Sequence, residues 1–474
     1  MIQLFDIITL PFLGEIDLNG SVLIVFFICF IAVVGFEFVN GFHDTANAVA
    51  TVIYTKALKP VYAIPWSGLW NFLGVLLGGV AVAMGILKLV PLNELMSLPV
   101  KIGACLVLSV LLGSIIWNLG TWYIGIPCSS SHTLIGAMIG ASLAFTWYYG
   151  GSGVNWTKAE EIGLSLVFSP VIGFGASMLV MYLLKNVFKA AHLFHIPQGD
   201  TDKPPIMTRL LLITTCTLVS FFHGSNDGQK GVGLLMLILI AFFPAKFAIN
   251  HAIPNDKILL SLNNTEQVIK KYNSPASPGK TLFLNLNTSL EQVKSQIGKL
   301  TLNDAAKIYN FRKQVQSVIK GINAVTDAKG FKLADADKSE LNKAATELDN
   351  VTDFAPIWVI ATISISLGLG TMIGWKRIVV TIGEKIGNQH LNYAQGATAE
   401  IVAAATIGLS TGFGLPVSTT HVLSSGIAGA MVASDGTKNL NNGTIKNIAL
   451  AWILTLPVSI ILSCLLFMLF HLFI

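Results

Sequence analysis

The chain has 474 residues, of which 53% are hydrophobic and only 12% charged. Soluble domains carry about 25% charged residues, so this composition excludes an ordinary soluble enzyme and indicates a polytopic, all-α membrane protein. The net charge of +5 resides largely in loops and gives no reason to invoke a nucleic-acid partner.

No Lys or Arg precedes Lys56, so the first apolar run lacks the basic flank of a cleaved leader and is expected to stay as a span. Residues 1–20 read as a short lead. From Ser21 to about Leu58 the run exceeds the roughly 20 residues that one crossing needs. Asn40-Gly41-Phe42-His43-Asp44 interrupts it, and two half-helices meeting at a break are expected there. Helices are expected over about 62–89, with Gly74, Gly78 and Gly79 offering a close-packing face, and over 102–124. Pro127-Cys128-Ser129-Ser130-Ser131-His132 then leads into a Gly-rich segment, 133–149, and 161–187 forms another span. The link 185–209 carries Lys185, Lys189, Lys203 and Arg209 against two Asp, which predicts a cytoplasmic side.

The run 210–248 is expected to break at His223–Gly228. Spans resume at about 355–375, 395–414, 416–434 and 446–473, with a basic loop from Lys376-Arg377 to Lys385. The segments at 127–149 and 416–434 read as re-entrant hairpins. The five cysteines (Cys29, Cys105, Cys128, Cys216, Cys464) lie in apolar stretches without CxxC spacing, and read as small core residues.

The chain repeats itself. Asp44 and Asp227 stand 183 positions apart, whereas Pro127-Cys-Ser-Ser-Ser-His and Pro416-Val-Ser-Thr-Thr-His stand 289 apart. The excess of 106 nearly matches a polar stretch, 245–353, that holds 15 Lys/Arg and 11 Asp/Glu. Two homologous halves are therefore expected, with an insert in the second. The boundaries are 1–205 (first repeat and basic linker), 206–248 (start of the second), 249–353 (hydrophilic helical insert) and 354–474 (the remainder). Within the insert, Leu290, Val293, Ile297 and Leu300 recur at helical spacing over 289–325, and residues 273–279 read as a turn region.

The repeated motifs carry the chemistry. A helix starting at Pro127 or Pro416 aims free N–H groups and its positive end outward. Ser129, Ser130 and Ser131, with Ser418, Thr419 and Thr420, add hydroxyl donors, a combination suited to a tetrahedral oxyanion. Two opposed copies would enclose one anion at mid-membrane. Asn47, Gln229 and Lys230 are further candidates for contact with that anion, Lys230 alternatively as a partner for Asp227 or Glu37.

Asp44 and Asp227, expensive at that depth, suit a coupling cation, a proton or a divalent metal. Asn47, Asn226 and Gln229 would fill the shell by their amide oxygens. His43, His132, His223 and His421 are proton-carrying candidates. Glu37 and Glu400, also inside apolar runs, are candidate ion-pair or relay members.

At Asn40–Thr55, at His223–Gly231 and at both P-x-S-[ST]-[ST]-H motifs the chain resembles the PiT family of inorganic phosphate transporters, in particular its bacterial low-affinity branch. The resemblance implies two inverted-topology repeats with broken helices, a cytoplasmic insert and a multi-pass place in the inner (plasma) membrane. It implies proton-coupled uptake of phosphate as a divalent metal complex. Mg²⁺ would be co-transported and no cofactor tightly bound. Sodium-coupled members read Gly-Ala-Asn-Asp in the first half, and His43 replaces that Asn here. Asn226-Asp227 is retained in the second half, so sodium stays the alternative. The bilayer, phosphate, protons or Na⁺, and a second copy in a homodimer are the expected partners. An intramembrane hydrolase is disfavoured by the lack of a G-x-S-x-G or HExxH motif. An anion channel is disfavoured by two fixed carboxylates.

Overall fold

The structure, a computed structural model, describes residues 8–10, 14–16, 20–91, 94–95, 98–151, 153–188, 191–199, 202–272, 279–298, 304–328 and 332–473. Leu300 and residues 273–278 lie outside this set, as does the side chain of Asn47. Apart from a small antiparallel hairpin, β1 (Ile8–Leu10) with β2 (Gly14–Ile16), the described elements are helical.

Two compact units result. The first draws on Val100–Ile238, Pro356–Ile474 and the described part of Met1–Glu94. Its helices are α1 (Gly20–Tyr54), α2 (Pro60–Leu77), α3 (Ala81–Leu87), α4 (Val100–Tyr123), α5 (Ser130–Tyr149), α6 (Trp156–Asn186) and α7 (Ile206–Phe242). The second unit, residues 95–99 and 239–355, holds α8 (Asn255–Tyr272), α9 (Lys280–Gln296), α10 (Ala305–Thr326) and α11 (Asp335–Thr352). The chain then returns to the first unit with α12 (Ile357–Thr371), α13 (Tyr393–Gly412), α14 (Thr419–Asp435) and α15 (Asn442–His471).

Five described helices, α1, α4, α6, α7 and α15, are long and apolar enough to cross a membrane. The first unit is polar within and apolar without. Val167, Val171, Ile453 and Leu465 face outward, while Asp44, Asp227, Lys230 and Glu400 are buried. Such an arrangement suits lipid, where outer apolar surface costs nothing and buried polar groups must be satisfied internally.

The structure corrects the expected breaks at the Asp motifs. α1 runs unbroken through Asp44, and α7 through Asp227. The motif glycines serve close helix packing instead. A Cβ on Gly41 would sit 2.5 Å from the Leu367 carbonyl of α12, and one on Gly224 would sit 2.1 Å from the Asn71 carbonyl of α2. The contacts are reciprocal, since Gly370 meets Phe38 O and Gly74 meets Phe221 O at similar range. Glycine interior to a helix costs about 1 kcal/mol of propensity, which close backbone approach offsets. A bend of 71° falls between α2 and α3. The basic stretch expected as a loop is helical, with one turn over Lys376–Val380 and another over Thr381–Lys385.

The second unit buries Leu262, Phe283, Leu290, Phe311, Val318 and Leu348 from all four of its helices in one apolar cluster. Val293 and Ile308 join it from either side of the 297–304 connection, so the apolar spacing over 289–325 belongs to two helices. Buried Arg312 ties its ends, donating to Ala248 O and Thr352 O at 2.5 and 2.6 Å.

Candidate functional site

Asp44 comes from the middle of α1 and Asp227 from the middle of α7, and both are buried. The hydroxyl motifs reach them from the first turns of α5 and α14. Ser130 Oγ donates to Asp44 Oδ2 at 2.6 Å, and Thr420 Oγ1 donates to Asp44 Oδ1 at 2.7 Å. Ser130 and Thr419 also lie 3.5 Å from Asp227 Oδ2. A hydroxyl has one hydrogen, so the Ser130 proton goes to the nearer Asp44.

The two helix starts are built alike. Ser129 caps α5 by accepting from His132 N at 3.2 Å, and Ser418 caps α14 by accepting from His421 N at 3.1 Å. Helices were expected from Pro127 and Pro416, but they begin three residues later. Ser129 and Ser418 have the side chains that best replace a missing helical acceptor, so the caps fall on them. The motifs also touch. Ser131 Oγ donates to Val417 O at 2.7 Å, and the His132 and His421 rings lie 4.5 Å apart between centroids. Both first turns thus face one small region.

Lys230 closes it. Its Nζ lies 2.8 Å from Asp227 Oδ1 and donates to Ser131 Oγ at 2.5 Å. His43 Nδ1 lies 3.4 Å from Asp44 Oδ1, and its Nε2 lies 3.3 Å from Thr121 Oγ1.

His223 lies near both carboxylates, with Nε2 3.6 Å from Asp227 Oδ2 and 3.9 Å from Asp44 Oδ2. Its tautomer follows from a chain of bonds. Thr371 Oγ1 donates to Leu367 O at 2.9 Å and accepts from Asn71 Nδ2 at 3.1 Å. Asn71 therefore offers Oδ1 to His223 Nδ1, at 2.8 Å. Nδ1 is thus the nitrogen that donates to Asn71, and Nε2 faces the two carboxylates. One ligand atom each from Asp44, His223 and Asp227 lies within 4.8 Å of the others, so these donors fit a divalent cation. Asn71 was not singled out in the sequence, although an amide in an apolar helix beside Gly74 is itself a signal of internal hydrogen bonding.

Other expected site residues lie elsewhere. Gln229 turns to the α2–α3 bend, accepting from Val82 N at 2.7 Å and donating to Gly78 O and Ser225 O at 2.8 and 2.6 Å. It satisfies backbone groups freed by the bend, which corrects its reading as an anion contact. Asn226 holds the loop before α14, donating to Thr411 Oγ1 and Leu415 O and accepting from Val417 N. Glu400 lies apart from the cluster and accepts from Thr51 of α1 and Thr215 of α7, joining three helices. Glu37 accepts from Asn40 Nδ2 at 3.1 Å, and its other oxygen lies where a Cβ on Gly231 would be, 2.3 Å away.

Comparison with known proteins matches this geometry to a family. The sequence profile of the phosphate transporter family fits residues 40–463. A low-affinity inorganic phosphate transporter of Buchnera aphidicola (subsp. Acyrthosiphon pisum) is 40% identical, over 95% of this chain and 97% of that one. The low-affinity inorganic phosphate transporters PitA and PitB of Escherichia coli K12 are 39% and 37% identical, each over 94% of this chain and 96% of its own. A solved structure titled a sodium-dependent phosphate transporter shares the fold, with a TM-score of 0.54 at 22% identity, over 96% of this chain and all of that one. With a profile spanning most of its length and relatives this similar from end to end, the chain belongs to the phosphate transporter family.

Proposed function

We propose that the chain is a secondary transporter that imports inorganic phosphate together with a divalent cation, driven by proton symport. The observation that carries this is the Asp44–His223–Asp227 donor set lying directly under the hydroxyl-bearing first turns of α5 and α14. Charge accounting explains the pairing. Two carboxylates and Lys230 leave the buried cluster at about −1, which repels phosphate. A divalent cation turns that into about +1, and anion and cation then offset one another's desolvation. Ser130, Ser131, Thr419 and Thr420 would hold the phosphate oxygens by turning their hydroxyl protons from their present acceptors to the anion as a cation takes over the carboxylates.

Imidazole with two carboxylates suits Mn²⁺ or Zn²⁺ at least as well as Mg²⁺, which prefers all-oxygen shells and keeps its waters. The cation is cargo in this reading, not a resident cofactor. His43, whose Nδ1 lies 3.4 Å from Asp44 Oδ1, is the group placed to pass a proton to the cluster. The sodium alternative is weakened by Asn226, the residue retained from the sodium-type motif, because its amide is committed to the 411–417 loop. The family is one of transporters, which disposes of the hydrolase.

The test is labelled-phosphate uptake by proteoliposomes of the purified protein, with an inward proton gradient, with Mg²⁺, Mn²⁺ or no divalent ion, and with Na⁺ exchanged for K⁺. Uptake should need the gradient and a divalent ion and ignore Na⁺. A strict Na⁺ requirement would move Asp44 and Asp227 to sodium ligands.

A further inference from the structure

A second cationic site lies outside the transport cluster. A cavity of about 640 Å³ opens between the C-terminal end of α4 and residues 374–385, lined by Trp122, Tyr123, Ile124, Trp375, Lys376, Arg377 and Lys385 among others. Lys376, Arg377 and Lys385 are exposed and have no carboxylate partner among the described residues. Glu384, next in the chain to Lys385, does not line the cavity. Arg377 is fixed. Its guanidinium lies 5.1 Å from the Trp122 ring centroid and 5.0 Å from that of Tyr123, and Nη1 donates to Tyr123 O at 2.5 Å. Exposed apolar side chains, Tyr123, Ile124 and Ile373, flank the opening.

Position decides what such a cavity suits. Trp122 and Tyr123 end a helix of membrane-crossing length, the level at which Trp and Tyr collect at a bilayer interface. The side is that of the basic 185–209 link. Arg209 Nε donates to Ala57 O just past α1, and Gly383 packs on the Tyr54 ring at the end of α1. A basic tendency of cytoplasmic loops would account for the lysines alone. It does not account for a stacked Arg beside an apolar-walled cavity, which matches a phosphate on a greasy stem.

We infer that this cavity binds the headgroup of an anionic phospholipid from the leaflet on the side of the basic 185–209 link, with Lys376, Arg377 and Lys385 around its phosphate. Free phosphate shares that chemistry, but offers nothing to the apolar wall. The cavity also adjoins the transport cluster. Trp122 Nε1 donates to Gly374 O at 2.8 Å, and Thr381 Oγ1 donates to Gly125 O at 2.7 Å, four residues before Ser129. Trp122 further packs on Phe42, two residues before Asp44, with centroids 5.1 Å apart. A lipid held here braces the loop that presents the hydroxyls, so phosphate uptake should depend on anionic lipid.

The experiment compares wild type with the double variant Lys376→Gln/Lys385→Gln in vesicles of phosphatidylcholine containing rising fractions of phosphatidylglycerol. Arg377 is left in place because it also stacks on α4. Each lysine near a headgroup is worth about fivefold in affinity. Wild-type uptake should rise with phosphatidylglycerol, and the double variant should need a far higher fraction for the same rise. The two should agree in pure phosphatidylcholine, and Lys376→Arg/Lys385→Arg should restore the response. Native mass spectrometry of the detergent-purified wild type should show retained phosphatidylglycerol that excess inorganic phosphate does not displace, a readout independent of the variants' stability. Identical lipid responses in wild type and variant would overturn the proposal. So would displacement of the lipid by free phosphate, which would make the cavity a phosphate site.

Discussion

Thr420 on α14 donates a 2.7 Å hydrogen bond to Asp44 on α1, joining residues 376 positions apart in the chain. With the 2.6 Å bond from Ser130 on α5, it fixes both oxygens of one carboxylate between the two hydroxyl motifs. Asp44 is thereby the point at which the halves of the site meet, and its removal should be felt in transport before stability. Asp44→Asn should abolish proteoliposome uptake while leaving a folded, monodisperse protein. Ser130→Ala and Thr420→Val should each lower uptake about tenfold, the worth of one hydrogen bond to a charged group, and Thr420→Ser should recover most of it.

Asp227 answers to a different constraint. Its Oδ1 lies 2.8 Å from Lys230, one turn on, and both side chains are buried. Asp227→Asn leaves a buried ammonium without its counter-charge, at a cost of about 3–5 kcal/mol. We expect thermal unfolding well below that of Asp44→Asn. The double variant Asp227→Asn/Lys230→Met should recover the melting temperature without recovering uptake.

Gln229 gives a clean separation of structure from binding. Its amide satisfies Val82 N and Gly78 O at the α2–α3 bend, and also donates to Ser225 O within α7. Gln229→Leu should lose about 1–3 kcal/mol for each buried backbone group left unpaired, read as a lower melting temperature. The apparent KM for phosphate of the folded fraction should stay at the wild-type value.

The motif glycines predict a position-specific sensitivity to one methyl group. Gly41→Ala and Gly224→Ala would drive a Cβ into backbone carbonyls of α12 and α2, at 2.5 and 2.1 Å. Helices forced apart in this way cost about 1–3 kcal/mol, which thermal melts should register. Gly35→Ala, on the same α1 with nothing within 4 Å of its Cβ, should be neutral or stabilising by up to about 1 kcal/mol.

A pH response is expected from the second unit. Hydrogen bonds from Lys270 and Lys294 hold the Glu266 carboxyl down to about 2. Asp337 is lowered likewise by Lys271 and Tyr272. A carboxyl with a depressed folded pKa stabilises above its unfolded value, near 4.3 for Glu, and that contribution is lost as pH falls towards the folded value. Hydrogen exchange of α8 and α9 in the full chain should be constant above about pH 5 and quicken, relative to intrinsic rates, between about pH 4.5 and 2. Glu266→Gln should flatten much of that change. The effect should be small, because Lys270 and Lys271 are largely exposed and water screens their charge.

The sequence by itself determined the membrane class, the all-α character and the recurrence of the chemistry-bearing motifs. Each of these follows from local quantities: apolar run length, charge density and recurrence. Asp44, Asp227, Ser130 and Thr420 stood out because polar groups in an apolar run must be used. What only the tertiary structure decided is which atoms those groups reach. The stretches around Gly41 and Gly224 read as breaks because polar residues interrupt an apolar run there, whereas the carbonyls of Leu367 and Asn71 that require those glycines lie on other helices. Gln229 and Lys230 are neighbours in sequence, yet successive residues on a helix point about 100° apart. One therefore faces the α2–α3 bend and the other Asp227. His223 gained its place through Asn71 and Thr371, a chain of donors and acceptors that exists only once α2, α7 and α12 pack together.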